Sequence, residues 1–250
     1  MQASTHRIGF ITGAAGSIGR ATVRTLSSRG LVVVTADRRR LPQSDAGLVA
    51  DQLAIDLHDE AALGGAMSRM RSLGRLEHVF AIAGGGDPDE LAQSDPATED
   101  LEIFARVVSN NLLIAFATIR HVVPLLREGD GNRSITLIGS INAFGGYGTP
   151  GYSAAKAGLI GLTNALATPL GADGIRINCL ALGTVDTENL HDLAAARGAS
   201  LDLPAIAAET PLGRVLTPGE VGRALAAIAL DMPGLTGSTI VLDNGQMRIR

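Results

Sequence analysis

Short apolar runs alternate along the chain with longer segments in which apolar residues recur at helical spacing. The runs span four to eight residues and are rich in Val and Ile, which is typical of buried strands. They predict strands at Ile8–Thr12, Leu31–Ala36, His78–Ala83, Ser134–Gly139, Ile175–Leu182 and Thr239–Leu242. The segments between them predict helices over Ser17–Gly30, Ala61–Leu73, Gly151–Leu170 and Pro218–Leu230, and two more within Asp95–Leu126.

This alternation predicts an α/β fold with a doubly wound, Rossmann-like, mostly parallel sheet and helices on both faces. No repeat or linker-like stretch interrupts it, so we expect one domain over residues 1–250. Two long loops depart from the pattern, 84–96 and 183–214, and each follows the carboxyl end of a strand. Ligands bind outside such ends in open α/β sheets, so we expect residues 184–209 to form a substrate lid.

Composition narrows the classes of function. The net charge is −4, which gives no basic surface for nucleic acid, and Arg38–Arg40 is expected to be a solvated corner. The single cysteine, Cys179, lies in an apolar run and is expected to be a core residue rather than a nucleophile. A lone cysteine fits a reducing compartment, and we expect a cytoplasmic protein.

Neither a leader nor a membrane span is expected. The N-terminus reaches its first strand by Ile8 without a long apolar segment, and no apolar stretch approaches the roughly 20 residues of a membrane helix. The acidic residues of the first long loop are expected to solvate it and cap a helix rather than bind metal. They are Asp87, Asp89, Glu90 and Asp95.

A glycine-rich turn follows the first strand, with the sequence TGAAGSIGR over residues 12–20. Glycines permit a tight turn and a close approach of backbone to a pyrophosphate, and the following helix offers free N–H groups. Asp37 ends the second strand 18 residues after Gly19, near the spacing at which an acid binds the adenosine ribose. Its charge would repel a 2′-phosphate and favours NAD over NADP, although Arg38 and Arg39 keep NADP open.

Lys156 is the only lysine among 21 basic residues, and it follows one of two tyrosines, Tyr152, by four positions. On a helix this spacing places both side chains on one face. An ammonium about 4 Å from the phenol, at an effective dielectric near 20, contributes about 4 kcal/mol, which would lower the pKa by about three units. The pair is therefore a candidate acid/base for an alcohol or carbonyl. An exposed surface pair is the alternative that spacing alone favours.

Other parts of the chain favour the acid/base interpretation of Tyr152 and Lys156 over the exposed surface pair. Ser140 ends a strand twelve residues before Tyr152, and Asn111 opens an apolar helical run. With the glycine turn, Asp37 and Tyr152–Lys156, these motifs occur in the order of a known family, which the whole chain resembles: the short-chain dehydrogenases/reductases. The later segments GTVDT (183–187), PLGR (211–214) and PGE (218–220) and the terminal TG and DNG motifs fit the same order.

The resemblance implies a role for each matching position. Tyr152 would be the general acid/base, Lys156 would lower its pKa and bind the nicotinamide ribose, and Ser140 would polarise the substrate oxygen. Asn111 would hold a proton-relay water through the helix it opens. Asp56 matches an acid that contacts adenine, with a helix N-cap as the equally open alternative. The expected cofactor contacts are Gly13, Gly16, Ser17, Ile18, Gly19, Asp37, Arg38, Asp56, Leu57, Ala83, Gly84, Tyr152, Lys156, Gly183, Val185 and Thr187.

Three positions depart from the family's pattern. Ser17 stands where the second glycine of the turn is usual, the segment after the third strand reads AIAG (81–84) rather than Asn-Asn-Ala-Gly, and Leu182-Gly183 replaces a Pro-Gly pair. The first departure alters phosphate contacts, and the second removes side-chain amides that brace the sheet. None falls on Ser140, Tyr152 or Lys156.

The sequence therefore predicts an NAD(P)-dependent oxidoreductase acting on a secondary alcohol or ketone. A catalytically inactive dinucleotide sensor is the alternative, and epimerase or dehydratase relatives are disfavoured because no room remains for their substrate domain. Two groups are expected at a small or moderately apolar substrate: Glu188, Asn189, His191 and Leu193 in the lid, and Asn142, Phe144 and Tyr147 beside the cleft. A homo-oligomer, tetramer or dimer, is expected, with the Ala224–Leu230 helix and the last strand as a possible interface that core packing explains equally well.

Overall fold

The computed structural model describes residues 6–145, 148–198 and 200–247. These residues form a parallel sheet of the strands β1 Arg7–Thr12, β2 Val32–Asp37, β3 Asp51–Ala54, β4 Arg75–Ala81, β5 Arg133–Ser140, β6 Ile175–Leu182 and β7 Thr239–Leu242. The helices are α1 Ser17–Ser28, α2 Gln43–Ala46, α3 Glu60–Leu73, α4 Pro88–Leu91, α5 Leu101–Val108, α6 Ile114–Arg127, α7 Pro150–Ala172, α8 Glu188–Ala196, α9 Leu203–Ala208 and α10 Pro218–Ala226. Short 3₁₀ turns lie at Pro96–Thr98 and Ile141–Ala143, and π turns at Ser109–Leu113 and Ala227–Asp231.

The strand order is β3-β2-β1-β4-β5-β6-β7. The order reverses direction between β1 and β4, which leaves a crevice at the carboxyl ends of these strands. Helices α3, α6 and α7 pack on one face around residues such as Leu63, Val122 and Leu159. Helices α1 and α10 pack on the other face around Leu26 and Leu225. The predicted doubly wound sheet is confirmed.

The central strands were the easiest to predict because β5 and β6 are buried along their whole length. Strand β3 was not predicted from the sequence. It is a four-residue edge strand, Asp-Gln-Leu-Ala, that is only partly buried, so it carries no continuous apolar run. Helix α10 ends at Ala226 in a π turn rather than continuing regularly to Leu230. Its predicted N-cap, Thr217, is confirmed and forms a capping box with Glu220.

The segment Asp95–Leu126 was predicted to hold two helices. In the structure, α5, a π turn and α6 follow one another without a break and form one helical stretch over Leu101–Arg127. By length and composition alone this stretch contains an 18-residue window apolar enough to cross a membrane, with a mean hydropathy of 1.3, so the expectation that no such segment exists was wrong. Its inner face packs on β4 and α3, and Leu113 and Phe116 remain 55% and 45% exposed. The apolar character therefore comes from a buried face together with an exposed apolar one.

Candidate active site

A cavity of about 970 Å³ lies at the carboxyl ends of β1, β2, β4, β5 and β6. Its volume is at the upper end of the usual range for ligand sites. Every residue predicted for catalysis or cofactor binding lines it. Besides the catalytic candidates Asn111, Ser140, Tyr152 and Lys156, these are Gly13, Gly16, Ser17, Ile18, Gly19, Asp37, Arg38, Asp56, Leu57, Ala83, Gly84, Gly183, Val185 and Thr187. The structure thus brings these residues together, while their individual roles stay predictions.

The glycine-rich turn has no room for side chains at two positions. Gly13 has φ +69°, and a Cβ there would lie 2.6 Å from the backbone of Ala83. A Cβ on Gly19 would lie 2.3 Å from the carbonyl oxygen of Gly13. Helix α1 then begins at Ser17 with Gly16 as N-cap, and no side chain among the described residues caps it. Its first N–H groups are therefore available to an anion, which is what a pyrophosphate requires.

Asp37 ends β2 with its carboxylate fixed at the cavity wall. One oxygen accepts the backbone N–H of Ala15 at 3.0 Å, and the other accepts that of Arg39 at 2.9 Å. The carboxylate thus lies directly beside the glycine-rich turn. Arg38 and Arg39 also line the cavity there, so positive charge accompanies the acid.

Asp56 does not cap a helix, so that alternative is wrong. Helix α3 begins at Glu60, and Asp59 caps it by accepting the N–H groups of Ala61 and Ala62. The carboxylate of Asp56 instead accepts the backbone N–H and the Nδ1 of His58, both at 2.9 Å. The backbone hydrogen bond is the main cause that lowers the pKa of Asp56.

Asn111 does not open a helix, contrary to the prediction. It is buried in the π turn between α5 and α6. Its Oδ1 accepts the N–H of Gly85 at 2.9 Å, and its Nδ2 donates to the carbonyls of Gly85 and Val107 at 3.0 Å. A Cβ on Gly84 would lie 2.6 Å from this Oδ1. One amide therefore holds the loop after β4, where the usual bracing asparagines are absent from the sequence.

Tyr152, Lys156 and Ser140 meet at the centre of the cavity. Lys156 is 3% exposed, its Nζ lies 5.3 Å from the centre of the Tyr152 ring, and it donates to the carbonyl of Ile138 at 2.9 Å. Burial lowers the pKa of Lys156 to about 8. Ser140 ends β5, and its Oγ also accepts the N–H of Asn142 at 3.2 Å.

The electrostatics of the phenol differ from the sequence argument. Burial raises the pKa of Tyr152 to about 12, a hydrogen bond with Ser140 lowers it, and the carboxylate of Glu90 raises it further. The pKa of Lys156 is about 8, so its side chain is already neutral at the pH where Tyr152 ionises and does not offset the burial. The lowering expected from the lysine alone is thus not produced by the groups of the protein itself.

Residues 184–209, the segment predicted to form a lid, include helix α8, and several of their side chains line the cavity. Thr187 caps α8, and the side chains of Glu188, Asn189 and Leu193 reach the cavity wall. His191 does not, contrary to the prediction that it faces the pocket. Its side chain is half-exposed, and its Nε2 lies 2.8 Å from Oδ1 of Asp186.

The residues expected beside the cleft have separate outcomes. Asn142 lines the cavity, whereas Phe144 is 48% exposed and does not. Tyr147 lies outside the described residues.

Ser17, which replaces the usual glycine, contacts helix α8. Its Oγ accepts the backbone N–H of Glu188 at 3.2 Å, and the carboxylate of Glu188 pairs with Arg20 at 2.5 Å. On the other side of α8, Cβ atoms on Gly85 and Gly86 would lie 3.2 Å and 2.8 Å from lid side chains. Helix α8 therefore bridges the glycine-rich turn and the loop after β4.

In the acidic loop after β4, three residues behave as predicted and one, Glu90, does not. Asp87 and Asp95 cap short helical segments as expected, and Asp89 pairs with Arg106. Glu90 is only 2% exposed, so it does not solvate the loop. No periodicity or motif marks a glutamate that is buried by another element. Among the described residues, no group of three or more metal-ligating side chains lies close together.

Cys179 is buried and free, which confirms its prediction as a core residue. Burial raises the pKa of its thiol to about 11. The thiol is thus protonated at neutral pH and does not act as a nucleophile there.

Comparisons with known proteins cover nearly the whole chain. A family model described as enoyl-(acyl carrier protein) reductase matches residues 13–247. The chain is 31% identical to cis-4-hydroxycyclohexanecarboxylate dehydrogenase of Sinomonas cyclohexanicum, over 98% of both chains. It is 33% identical to an uncharacterized short-chain type dehydrogenase/reductase of Sinorhizobium fredii, over 99% of this chain but only 45% of that protein's length.

A solved structure supports the same grouping. An oxidoreductase of the short-chain dehydrogenase/reductase family from Burkholderia thailandensis superimposes with a TM-score of 0.83 at 29% identity. The match covers 97% of this chain and 93% of that one.

Proposed function

The chain belongs to the short-chain dehydrogenase/reductase family of NAD(P)-dependent oxidoreductases, and we propose that it interconverts a secondary alcohol and its ketone with NAD, using Tyr152 as general acid/base. The observation that carries this proposal is the meeting of Ser140, Tyr152 and Lys156 in one cavity that continues to Asp37. An inactive sensor would not need a partly buried phenol beside a serine and a buried ammonium.

The residues divide the chemistry between them. Ser140 donates a hydrogen bond to the substrate oxygen, and Tyr152 gives that oxygen a proton during reduction or removes it during oxidation. Lys156 binds the ribose next to the reacting centre, and Asn111 fixes the loop that forms the cavity floor. When bound, the nicotinamide supplies the hydride or accepts it.

The pKa of Tyr152 bears on the direction of proton transfer. At about 12 the phenol is protonated at neutral pH, which suits the reductive direction. For oxidation its pKa must fall. A positive charge about 5 Å away contributes about 3 kcal/mol at an effective dielectric near 20, or about two pKa units. The oxidised cofactor would supply a positive charge when bound, and Lys156, whose Nζ lies 5.3 Å from the ring centre, would add to it while protonated.

Substitution of the two central residues tests the proposal. Tyr152→Phe and Lys156→Arg should lower kcat by orders of magnitude, measured through NADH absorbance with a panel of secondary alcohols and ketones. Arg71→Lys, in a surface ion pair with Glu128, is the matched control and should leave the rate unchanged. Near-normal rates in both Tyr152→Phe and Lys156→Arg would reject the mechanism.

The preference for NAD rests on Asp37. A carboxylate held by Ala15 and Arg39 leaves little freedom to avoid a 2′-phosphate. Asp37→Asn should raise kcat/KM for NADP relative to NAD by at least tenfold. Asp59→Asn, at a helix cap away from the cavity, should not alter that ratio. Equal kcat/KM for both cofactors in the unmodified protein would contradict the preference.

We also propose that residues 1–250 act as one dinucleotide-binding and catalytic domain with 184–209 as its lid. The contacts of α8 with Ser17 and with the Gly85–Gly86 loop support this. The cavity wall near the lid contains Leu91, Leu193 and Leu201, which supports a small or moderately apolar substrate. The relative from Sinomonas cyclohexanicum makes cyclic hydroxy acids a sensible part of the panel.

A homo-oligomer remains part of the proposal, but its interface is reassigned. Leu225, Ala226, Ile228 and Ala229 of the suggested helix are buried in the core. The exposed apolar side chains of Leu101–Phe116 are the better candidate surface. Sedimentation or light scattering would measure the assembly. A reducing cytoplasm suits the free Cys179, and that location remains a prediction.

A further inference from the structure

Helix α7, which carries Tyr152 and Lys156, lacks a cap of its own. Its N-cap residue is Thr149, whose side chain makes no capping hydrogen bond within the described residues, and Pro150 has no N–H. The first hydrogen bond from within the segment runs from the N–H of Ser153 to the carbonyl of Thr149. The N–H groups of Gly151 and Tyr152 therefore need acceptors from elsewhere.

Glu90 supplies one acceptor from a different part of the chain. It belongs to α4, 62 residues before Tyr152, and its Oε1 accepts the backbone N–H of Tyr152 at 2.9 Å. A Cβ on Gly151 would lie 2.8 Å from this oxygen and 3.4 Å from the Cα of Phe104. Only glycine at 151 lets the carboxylate approach the helix this closely.

A second carboxyl group, that of Glu99, lies beside the first. Neither of its oxygens, nor Oε2 of Glu90, has a hydrogen-bond partner in the described part of the chain, although all three atoms are buried. Burial, and then the charge of Glu90, raise the pKa of Glu99. Two carboxyls that line the same small cavity are favoured when they share one proton, which also provides the missing donor.

The surrounding cations leave this pair without a salt bridge. On α5, Arg106 is occupied by Asp87 and Asp89. Arg197, in the proposed lid, lines the same small cavity of about 230 Å³ as the two glutamates but forms no ion pair with them among the described residues. Lys156 on α7 is bonded to a carbonyl of β5. The negative charge of the pair is thus directed at the helix N-terminus and the phenol.

We propose that Glu90, sharing one proton with Glu99, is a positioning residue: it supplies the missing cap of α7, holds Tyr152 at its place in the cavity, and sets the potential at the phenol. The catalytic consequence rests on the proposed role of Tyr152. The structural consequence does not, because the hydrogen bond is made to the backbone.

Spectroscopic titration isolates the effect on the phenol without any activity measurement. The chain has two tyrosines and no tryptophan, so in a Tyr147→Phe background the tyrosinate absorbance reports Tyr152 alone. A rapid pH jump records ionisation before alkaline unfolding. Glu90→Gln should lower the pKa of Tyr152 by at least half a unit, because it moves the charge of the pair to Glu99, which is not among the groups that raise the pKa of the phenol. An unchanged titration would overturn the electrostatic part of the proposal.

Kinetics test the positioning. Glu90→Ala should lower kcat about tenfold or more with little change in KM for the cofactor, and Glu90→Gln, which keeps an acceptor oxygen, should restore most of kcat and move the pH profile of kcat to lower pH. Glu220→Ala removes a comparable capping carboxylate from α10 and is the matched control for lost stability. If Glu90→Ala and Glu220→Ala give the same kcat and pH profile at equal stability, the positioning role is rejected.

The two proposals fail in different ways. Full activity of Tyr152→Phe would reject the catalytic role of the phenol, yet Glu90→Gln would still shift its titration. If Glu90→Gln leaves the titration of Tyr152 unchanged and Glu90→Ala leaves kcat unchanged, while Tyr152→Phe is inactive, only the positioning role is rejected. Glu99→Gln leaves the negative charge on Glu90, so it should not lower the pKa of Tyr152; a fall equal to that of Glu90→Gln would overturn the assignment of the effect to Glu90.

Discussion

His78 makes the stability of this fold depend on pH. It lies on β4 with 0% exposure, its Nδ1 is 2.9 Å from Ser134 Oγ, and its Nε2 has no hydrogen-bond partner in the described part of the chain. Burial lowers its pKa from 6.5 to about 4; Glu77 opposes this, while Arg7 and Arg176 add to it. The folded state therefore resists protonation that the unfolded chain accepts.

The size of the effect follows from that pKa difference. Between pH 6.5 and pH 4 the unfolded state binds more protons, so the free energy of unfolding falls as the pH falls. A difference of about 2.5 units corresponds to about 3 kcal/mol, all of it present above pH 6.5 and lost by about pH 4. That is a large share of the 5–15 kcal/mol typical of a folded domain.

Replacing His78 by leucine removes this titration. Leucine costs the hydrogen bond with Ser134, so His78→Leu should be less stable or equal at pH 8 but should lose about 3 kcal/mol less on going to pH 4. Denaturant unfolding at several pH values, with matched m values, gives the comparison. His191→Leu, an exposed histidine, is the control. Parallel stability curves for His78→Leu and the unmodified protein would refute the argument.

Three further predictions concern the site. Asn111→Ala leaves the half-buried backbone groups of Gly85 without their side-chain partner, so it should cost about 1–3 kcal/mol in unfolding free energy and most of the activity; unchanged stability would contradict the clamp. Gly151→Ala forces a contact with Glu90 and should lower kcat more than the melting temperature, as enzyme assays and calorimetry would show. Glu188→Ala removes the exposed ion pair between α8 and Arg20 of α1. The free energy of unfolding should therefore stay within about 1 kcal/mol of that of the unmodified protein. Cofactor dissociation, measured by stopped-flow fluorescence, should become faster. An unchanged dissociation rate would reject this contact as a lid restraint.

Features that depend on local sequence patterns could be predicted, whereas features that depend on contacts between distant residues could not. The glycine turn, Asp37 and Ser140 could be placed because each stands at the end of an apolar strand, and parallel strands bring their carboxyl ends to one edge. The pair Tyr152–Lys156 could be placed because four residues make about one helical turn. In contrast, strand β3 is too short and too polar to give a pattern. The π turn at Asn111 depends on a contact with Gly85, 26 residues away, which no local pattern records.

The sequence by itself determined the fold class, the order of the elements and the edge of the sheet at which chemistry occurs, because apolar periodicity and glycine positions are local properties. Tertiary structure alone decided how that chemistry is tuned. Burial and Glu90 set the pKa of Tyr152, and the burial that lowers the pKa of Lys156 to about 8 decides how little the lysine offsets them. These effects depend on distances between residues far apart in the chain, and charges act through space rather than along the sequence.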